Sequence, residues 1–212
     1  MIHEVRCMCN QAIKIKAIIF DIGGVLVAQT WPSMIEYYAT ILSIDTKILE
    51  KVILERIEDY QRNRISENDL WTYVASKHPI PLSKTKKLWI KGIRASYHER
   101  SEMFFLVNQL KENGFLLGIL ANTEQTAVED ISNRFEKIFH VIVLSPEVGF
   151  RKPQKEIYKY ILQKLDTLPH ETLFVDDQKE NIDGAKGVGM HAIHYTTHKK
   201  FMEEFSQFVE LG

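Results

Sequence analysis

The stretch Ile13–Gly24, IKIKAIIFDIGG, decides how the rest of the chain is read. Ile13 to Phe20 is a short, β-rich apolar run that stops at Asp21, and Gly23 and Gly24 follow at once. That pattern is a buried strand ending at a tight loop, with a carboxylate left at the strand's carboxyl end.

The pattern recurs downstream. Phe115 to Leu120 is apolar and closes at Asn122; His140 to Leu144 is a further strand candidate. Thr172 to Val175 ends in Asp176 and Asp177, and His191 to Tyr195 is the last. Helical periodicities alternate with them. One helix is expected over Thr123–Phe139, with Val128, Ile131, Phe135 and Ile138 inward. Another carries Ile157, Tyr160, Ile161 and Leu165, a short one reaches Gly187, and an amphipathic helix closes the chain. Alternating strands and helices predict an α/β fold, a doubly wound parallel sheet covered on both faces.

Between the first and second strands the chain is too long for a simple crossover, and its periodic segments look helical. Ile48, Val52, Ile53, Ile57 and Tyr60 recur at helical spacing. Ser66 and Asp69 form a capping-box signature ahead of Leu70, Trp71, Tyr73 and Val74. Phe104, Leu106 and Leu110 mark a helix closing near Gly114. The expected organisation is an α/β core from 13–28 and 98–212, an inserted helical cap at 29–97, and an N-terminal arm at 1–12. Tyr37, Tyr38, Tyr60, Trp71, Trp89 and Tyr97 fall in or beside the cap, and aromatics at helical spacing read as core first.

Composition narrows the partners. The 212 residues are 45% hydrophobic and 26% charged with net charge −1, which is globular and gives no field for nucleic acid or an anionic membrane. The basic run Lys84, Lys86, Lys87, Lys91 and Arg94 reads as the solvated face of an amphipathic helix. Cys7 and Cys9 are too close in sequence for an unstrained disulfide and read as free thiols in a reducing cytosol. No apolar stretch is long enough for a membrane span, so a cytoplasmic location is expected. Oligomeric state is left open.

In open α/β sheets, ligands bind beyond the carboxyl ends of the strands. The polar residues expected there are Asp21, Asn122, Arg151 and Lys152, then Asp176 and Asp177. Three carboxylates in one place repel and call for a cation, and hard oxygen donors suit Mg²⁺. A lysine beside that metal suits an anionic group such as a phosphoryl group.

These residues resemble the haloacid dehalogenase superfamily, in its helical-cap phosphatase branch. FDIGGVL at Phe20–Leu26 resembles its first motif and ILANT at Ile119–Thr123 its second. GFRKP at Gly149–Pro153 resembles the third, and FVDD with Asn181 four residues beyond Asp177 the fourth. The resemblance runs from about Ile13 through nearly the whole chain, and it implies a Rossmann-like core and a Mg²⁺-dependent phosphohydrolase. By that resemblance Asp21 is the nucleophile, forming an aspartyl-phosphate from a small-molecule phosphate ester. It also implies that Asp21, the Gly23 carbonyl and Asp176 hold Mg²⁺, with Asp177 acting through water. Lys152 would neutralise charge between nucleophile and phosphoryl oxygens, and Asn122 would contact the phosphate.

Two positions depart from the family. Gly23 stands where most phosphatases of the superfamily carry a second Asp as general acid and base, and Ala121 where Ser or Thr is usual. The first departure predicts a preference for acidic leaving groups, such as an anomeric sugar phosphate, an acyl phosphate or an aryl phosphate, and disfavours phosphoglucomutase chemistry. The rival readings are a degenerate Mg²⁺- or phosphate-binding member with little turnover, a metal-free 2-haloacid dehalogenase using Asp21 on carbon, and an interaction protein built around the cap.

Overall fold

A computed structural model describes residues 14–28 and 31–210. The expected arm at 1–12, with Cys7 and Cys9, lies outside the described residues.

Five strands form the sheet: β1 (Ala17–Phe20), β2 (Leu116–Ala121), β3 (Val141–Leu144), β4 (Thr172–Asp176) and β5 (His191–His194). Their order is β3-β2-β1-β4-β5, and every pairing is parallel. The chain winds from β1 outward to β3, then crosses back to β4 on the other side of β1. The topological switch therefore falls between β1 and β4, where open sheets of this kind bind ligands.

Side chains alternate across the sheet as the pleat requires. Ile18 and Phe20 of β1 face a core built with α6 (Ser101–Glu112), α7 (Val128–Phe135) and α11 (His198–Phe205), through Met103, Leu106, Phe135, Phe201 and Phe205. Ala17 and Ile19 face the other side, against Ile157, Ile161, Ile182 and Ala185 of α9 (Lys155–Leu165) and α10 (Lys179–Gly187). The Schellman motif that ends α6 needs its glycine: Gly114 sits at φ +82°. There Phe115 N–H donates to the Leu110 carbonyl and Gly114 N–H to that of Lys111, both at 3.1 Å.

The segment between β1 and α6 is helical. It comprises α1 (Trp31–Leu42), α2 (Thr46–Leu54), α3 (Ile57–Gln61), α4 (Glu67–Lys77) and α5 (Leu88–Ala95). These helices have a hydrophobic cluster of their own, with Tyr38, Tyr60, Trp71 and Trp89 at its centre. Tyr38 stacks on Trp89 at 5.2 Å, and Tyr60 meets the same indole edge-on at 5.1 Å. Gly92 lets α5 approach α1, since a Cβ there would lie 2.1 Å from Tyr38 Cε1. The capping box at the start of α4 is formed in full by Ser66 and Asp69.

Two local differences from the sequence reading stand out. The helix expected over 123–139 is a 3₁₀ turn at Gln125–Ala127 followed by the shorter α7. The loop expected from Ser145 to Pro153 opens with one helical turn, α8 (Ser145–Val148), made possible by Pro146 in its first turn.

Candidate active site

The ends of β1 and β4 and the loop after α8 deliver their polar residues to one place. Asp21 follows β1 directly, and its N–H donates to the Val175 carbonyl at 2.9 Å, which fixes it beside the end of β4. Asp176 is the last residue of β4 and is fully buried. Lys152 comes from the loop after α8 and is only 1% exposed. Its Nζ lies 2.9 Å from Asp21 Oδ1 and 2.6 Å from Asp176 Oδ2, bridging the two central strands.

The ammonium is held from behind. The Asn122 side chain, at the end of β2, accepts from Lys152 N–H at 2.8 Å and donates to its carbonyl at 3.0 Å. Both ends of that amide are therefore spent on the Lys152 main chain. Ser145 Oγ closes the same edge, donating to the Thr123 carbonyl and accepting from its N–H.

Asp176 is equally constrained. Oδ1 accepts from Gln178 N–H at 2.8 Å and from Asn181 Nδ2 at 3.0 Å, while Oδ2 takes Lys152 and a second contact from Asn181. Asn181 is the functional neighbour that residue-by-residue reading gave no role; its signal was its place in the fourth motif. Asp177 does not cap α10, whose N-cap is Gln178. Its Oδ2 instead accepts from Gln178 Nε2 and packs on the loop after β1. A Cβ on Gly24 would lie 2.2 Å from that oxygen, and Gly24 sits at φ +75°, so glycine is required there on both counts. Gly23 differs, since no heavy atom lies within 4 Å of where its Cβ would be.

Oxygens of Asp21, Asp176 and Asp177 all lie within 4.8 Å of one another. Three carboxylates share one ammonium, and the electrostatics follow from that excess. Burial first, then Asp176 and Asp177, push the Asp21 carboxyl up to about 7 despite Lys152. Burial and Asp176 likewise raise Asp177. Burial alone would lower the Lys152 ammonium, but Asp176 and Asp21 outweigh it and hold it above its ordinary value. The lysine keeps its proton and the surplus negative charge falls on the aspartates. A donor set of clustered hard oxygens with unbalanced charge fits a small divalent cation.

A cavity of about 600 Å³ opens from Asp21 and Lys152 between the sheet edge and the helical layer. Polar contacts tie the two layers around it. Arg94 of α5 makes two hydrogen bonds to Asp130 of α7, at 2.7 and 2.8 Å. Arg151 donates to Glu58 of α3 at 3.0 Å, and Gln61 donates to the buried Glu124 at 3.0 Å. Of the aromatics singled out in sequence, Tyr97 borders the cavity. Of the basic run, the four lysines are exposed and Arg94 borders the cavity.

An acidic cluster and a buried lysine at the switch point of a parallel sheet make a candidate hydrolase site, and the family shown by the comparisons is one of hydrolases. A family profile described as haloacid dehalogenase-like hydrolase matches residues 15–189, and the chain belongs to that family. It is 29% identical over 196 residues to the sesquiterpene phosphatase astK of Aspergillus oryzae, covering 92% of this chain and 96% of that one. It is 24% identical over 194 residues to the D-ribitol-5-phosphate phosphatase of Bacteroides thetaiotaomicron, covering 82% and 89%. Among solved structures, the wild-type enzyme bt-2542 of the same bacterium, in complex with magnesium and inorganic phosphate, superposes with TM-score 0.71 at 20% identity. That superposition covers 90% of this chain and 99% of bt-2542. Among the described residues, no helix is long and apolar enough to cross a membrane.

Proposed function

We propose that the chain is a Mg²⁺-dependent phosphohydrolase acting on a small phosphorylated metabolite through an aspartyl-phosphate. The observation that carries this reading is Lys152 Nζ set between Asp21 and Asp176 where Asp21 and Lys152 line the cavity. The names of the relatives point to different substrates, so only their shared chemistry, hydrolysis at phosphorus, is carried over.

Asp21 Oδ attacks phosphorus in line and the bond from phosphorus to the ester oxygen breaks, releasing the alcohol oxygen as an anion that takes a proton from solvent. Water then attacks phosphorus of the aspartyl-phosphate, freeing phosphate and regenerating the carboxylate, so that ester and water become alcohol and phosphate. Lys152 opposes protonation of Asp21, orients its carboxylate, and offsets charge on the phosphoryl oxygens. Asn122 holds the Lys152 main chain with its side chain, which leaves its own N–H as the group for the phosphate. Asp21, the Gly23 carbonyl, Asp176 and Asp177 would hold Mg²⁺; Asp176 has both oxygens engaged in hydrogen bonds, which favours Asp177 for direct contact. When bound, the cation supplies charge neutralisation at the phosphoryl group. Residues 29–97 act as the cap that encloses the substrate.

The test is a phosphate-release screen with Mg²⁺, run beside Asp21→Asn. Release by the wild type, lost in Asp21→Asn and in EDTA, is the expected result. Equal, slow release by both proteins across aryl, acyl and sugar phosphates would favour the degenerate member. Dechlorination of a 2-haloacid surviving EDTA would favour the dehalogenase.

A further inference from the structure

The cavity is larger than a phosphate needs. At roughly 30 Å³ for each water-sized group, its volume of about 600 Å³ holds on the order of twenty such groups. A phosphoryl group with its oxygens takes about five of these, leaving room for about fifteen more.

Away from Asp21 and Lys152 the wall carries hydrocarbon from Ile22, Leu54, Ile57, Ile93, Ile131 and Phe135, set among polar side chains. Leu54, at the end of α2, is 52% exposed although it is aliphatic, and it borders the cavity instead of joining the cap's core. The arginines on this wall are already matched within the protein, while Glu180 is exposed to solvent. Arg94 is spent on Asp130 and Arg151 on Glu58. Arg134 pairs with Glu99 at 3.5 Å and lies over the Tyr97 ring at 4.0 Å. Gln61 Nε2 is taken by Glu124, while Gln61 Oε1, Asn181 Oδ1 and Arg151 Nε are the buried polar atoms without a partner among the described residues of this lining.

A polyol chain brings several hydroxyls, and each is unfavourable to bury without a partner. A hydrocarbon chain brings none and gains from leaving water. Resting on the phosphohydrolase reading, we infer that the alcohol half of the substrate is an extended hydrocarbon of about ten to fifteen carbons, for which isoprenoid alcohols serve as the probe. Its phosphate lies at Asp21 and Lys152, and its chain lies against Ile93, Ile131 and Phe135, which set specificity. This choice is independent of leaving-group acidity: chain length governs binding, and the ester oxygen governs the chemical step.

The experiment separates the two. Allylic monophosphates of one, two and three isoprene units share one leaving oxygen and differ in length alone. Each buried methylene is worth roughly fourfold in affinity, so kcat/KM is expected to rise by at least roughly tenfold per unit. The three-unit ester should also exceed ribitol 5-phosphate. Ile93→Asn and Ile131→Asn, at partly exposed positions, are expected to shrink the gain per unit.

Acetyl phosphate, assayed with wild type and Asp21→Asn, reports separately on the parent reading. If acetyl phosphate is hydrolysed but the series is flat, or ribitol 5-phosphate is preferred, the inference falls and the phosphohydrolase stands. If nothing is turned over, the parent reading falls. The inference is then decided by calorimetric Kd values for the matched phosphonates with Mg²⁺. Tightening with length upholds it, and a flat series overturns it.

Discussion

Replacing the proposed nucleophile should make the metal-free protein more stable, not less. Burial first, and then Asp176 and Asp177 against the opposing pull of Lys152, push the Asp21 carboxyl from 3.8 to about 7. The folded protein therefore holds a proton on Asp21 over a range in which the unfolded chain has lost it. The sign follows: this group carries no penalty below about pH 4, its penalty grows as pH rises toward 7, and it is fully present above that. At about 1.4 kcal/mol for each pH unit, the ionised carboxylate opposes folding by about 4 kcal/mol near pH 8.

Asp21→Asn removes the charge and keeps an oxygen for Lys152. In EDTA at pH 8 it should stabilise the protein by about 2–4 kcal/mol. For a chain of this length that is a rise in Tm of roughly 5–15 °C. By pH 5 the gain should shrink to about a third, and Mg²⁺ at pH 8 should raise the Tm of the wild type more than that of the variant. Thermal melts of both proteins in EDTA at the two pH values measure this. A variant no more stable than wild type at pH 8, or an equal gain at both pH values, would refute the claim that the carboxylates are overcharged.

Lys152→Met should act in the opposite direction, losing about 3–5 kcal/mol in urea titrations because it leaves two buried carboxylates uncompensated; a loss under about 1 kcal/mol would mean the ammonium is not needed there. Gly23→Asp has room for its Cβ and is expected to restore a proton donor. It should raise kcat on simple alkyl phosphates at least tenfold, within the ~10²–10⁴ such groups supply, and unchanged kinetics would count against the account of Gly23. Gly92→Ala forces a methyl group into Tyr38 and should cost about 1–3 kcal/mol, read from the denaturation midpoint; a neutral result would show that α5 can retreat from α1 without loss.

The strand ends were legible because each combines a β-rich run with an abrupt polar stop, and the proposed site residues cluster there. Asp21, Asn122, Lys152, Asp176 and Asp177 could thus be named before their distances were known. Their division of labour was not legible. Asn122 spends its side chain on the main chain of Lys152, a contact across 30 residues that no local spacing encodes. The split between 3₁₀ turn and α7 escaped for another reason, since periodicity marks the inward stripe and not the hydrogen-bond register of its first turn. Likewise Ile57 and Tyr60 continue the stripe of α2 although the helix breaks before them. Which apolar side chains line the cavity and which fill the core is a matter of packing between two layers, and Leu54 and Ile131 look like any other members of an amphipathic face.

Arg151 is the residue just before Lys152, and its guanidinium grips Glu58 on the far layer. Any separation of the layers has to release that grip, and the strand of backbone that feels it first is the one steering the ammonium. Entry of a ligand is therefore expected to disturb the set of the Asp21 carboxylate through two adjacent positions, with raised ionic strength loosening the Arg151–Glu58 pair far more than the buried Lys152 contacts.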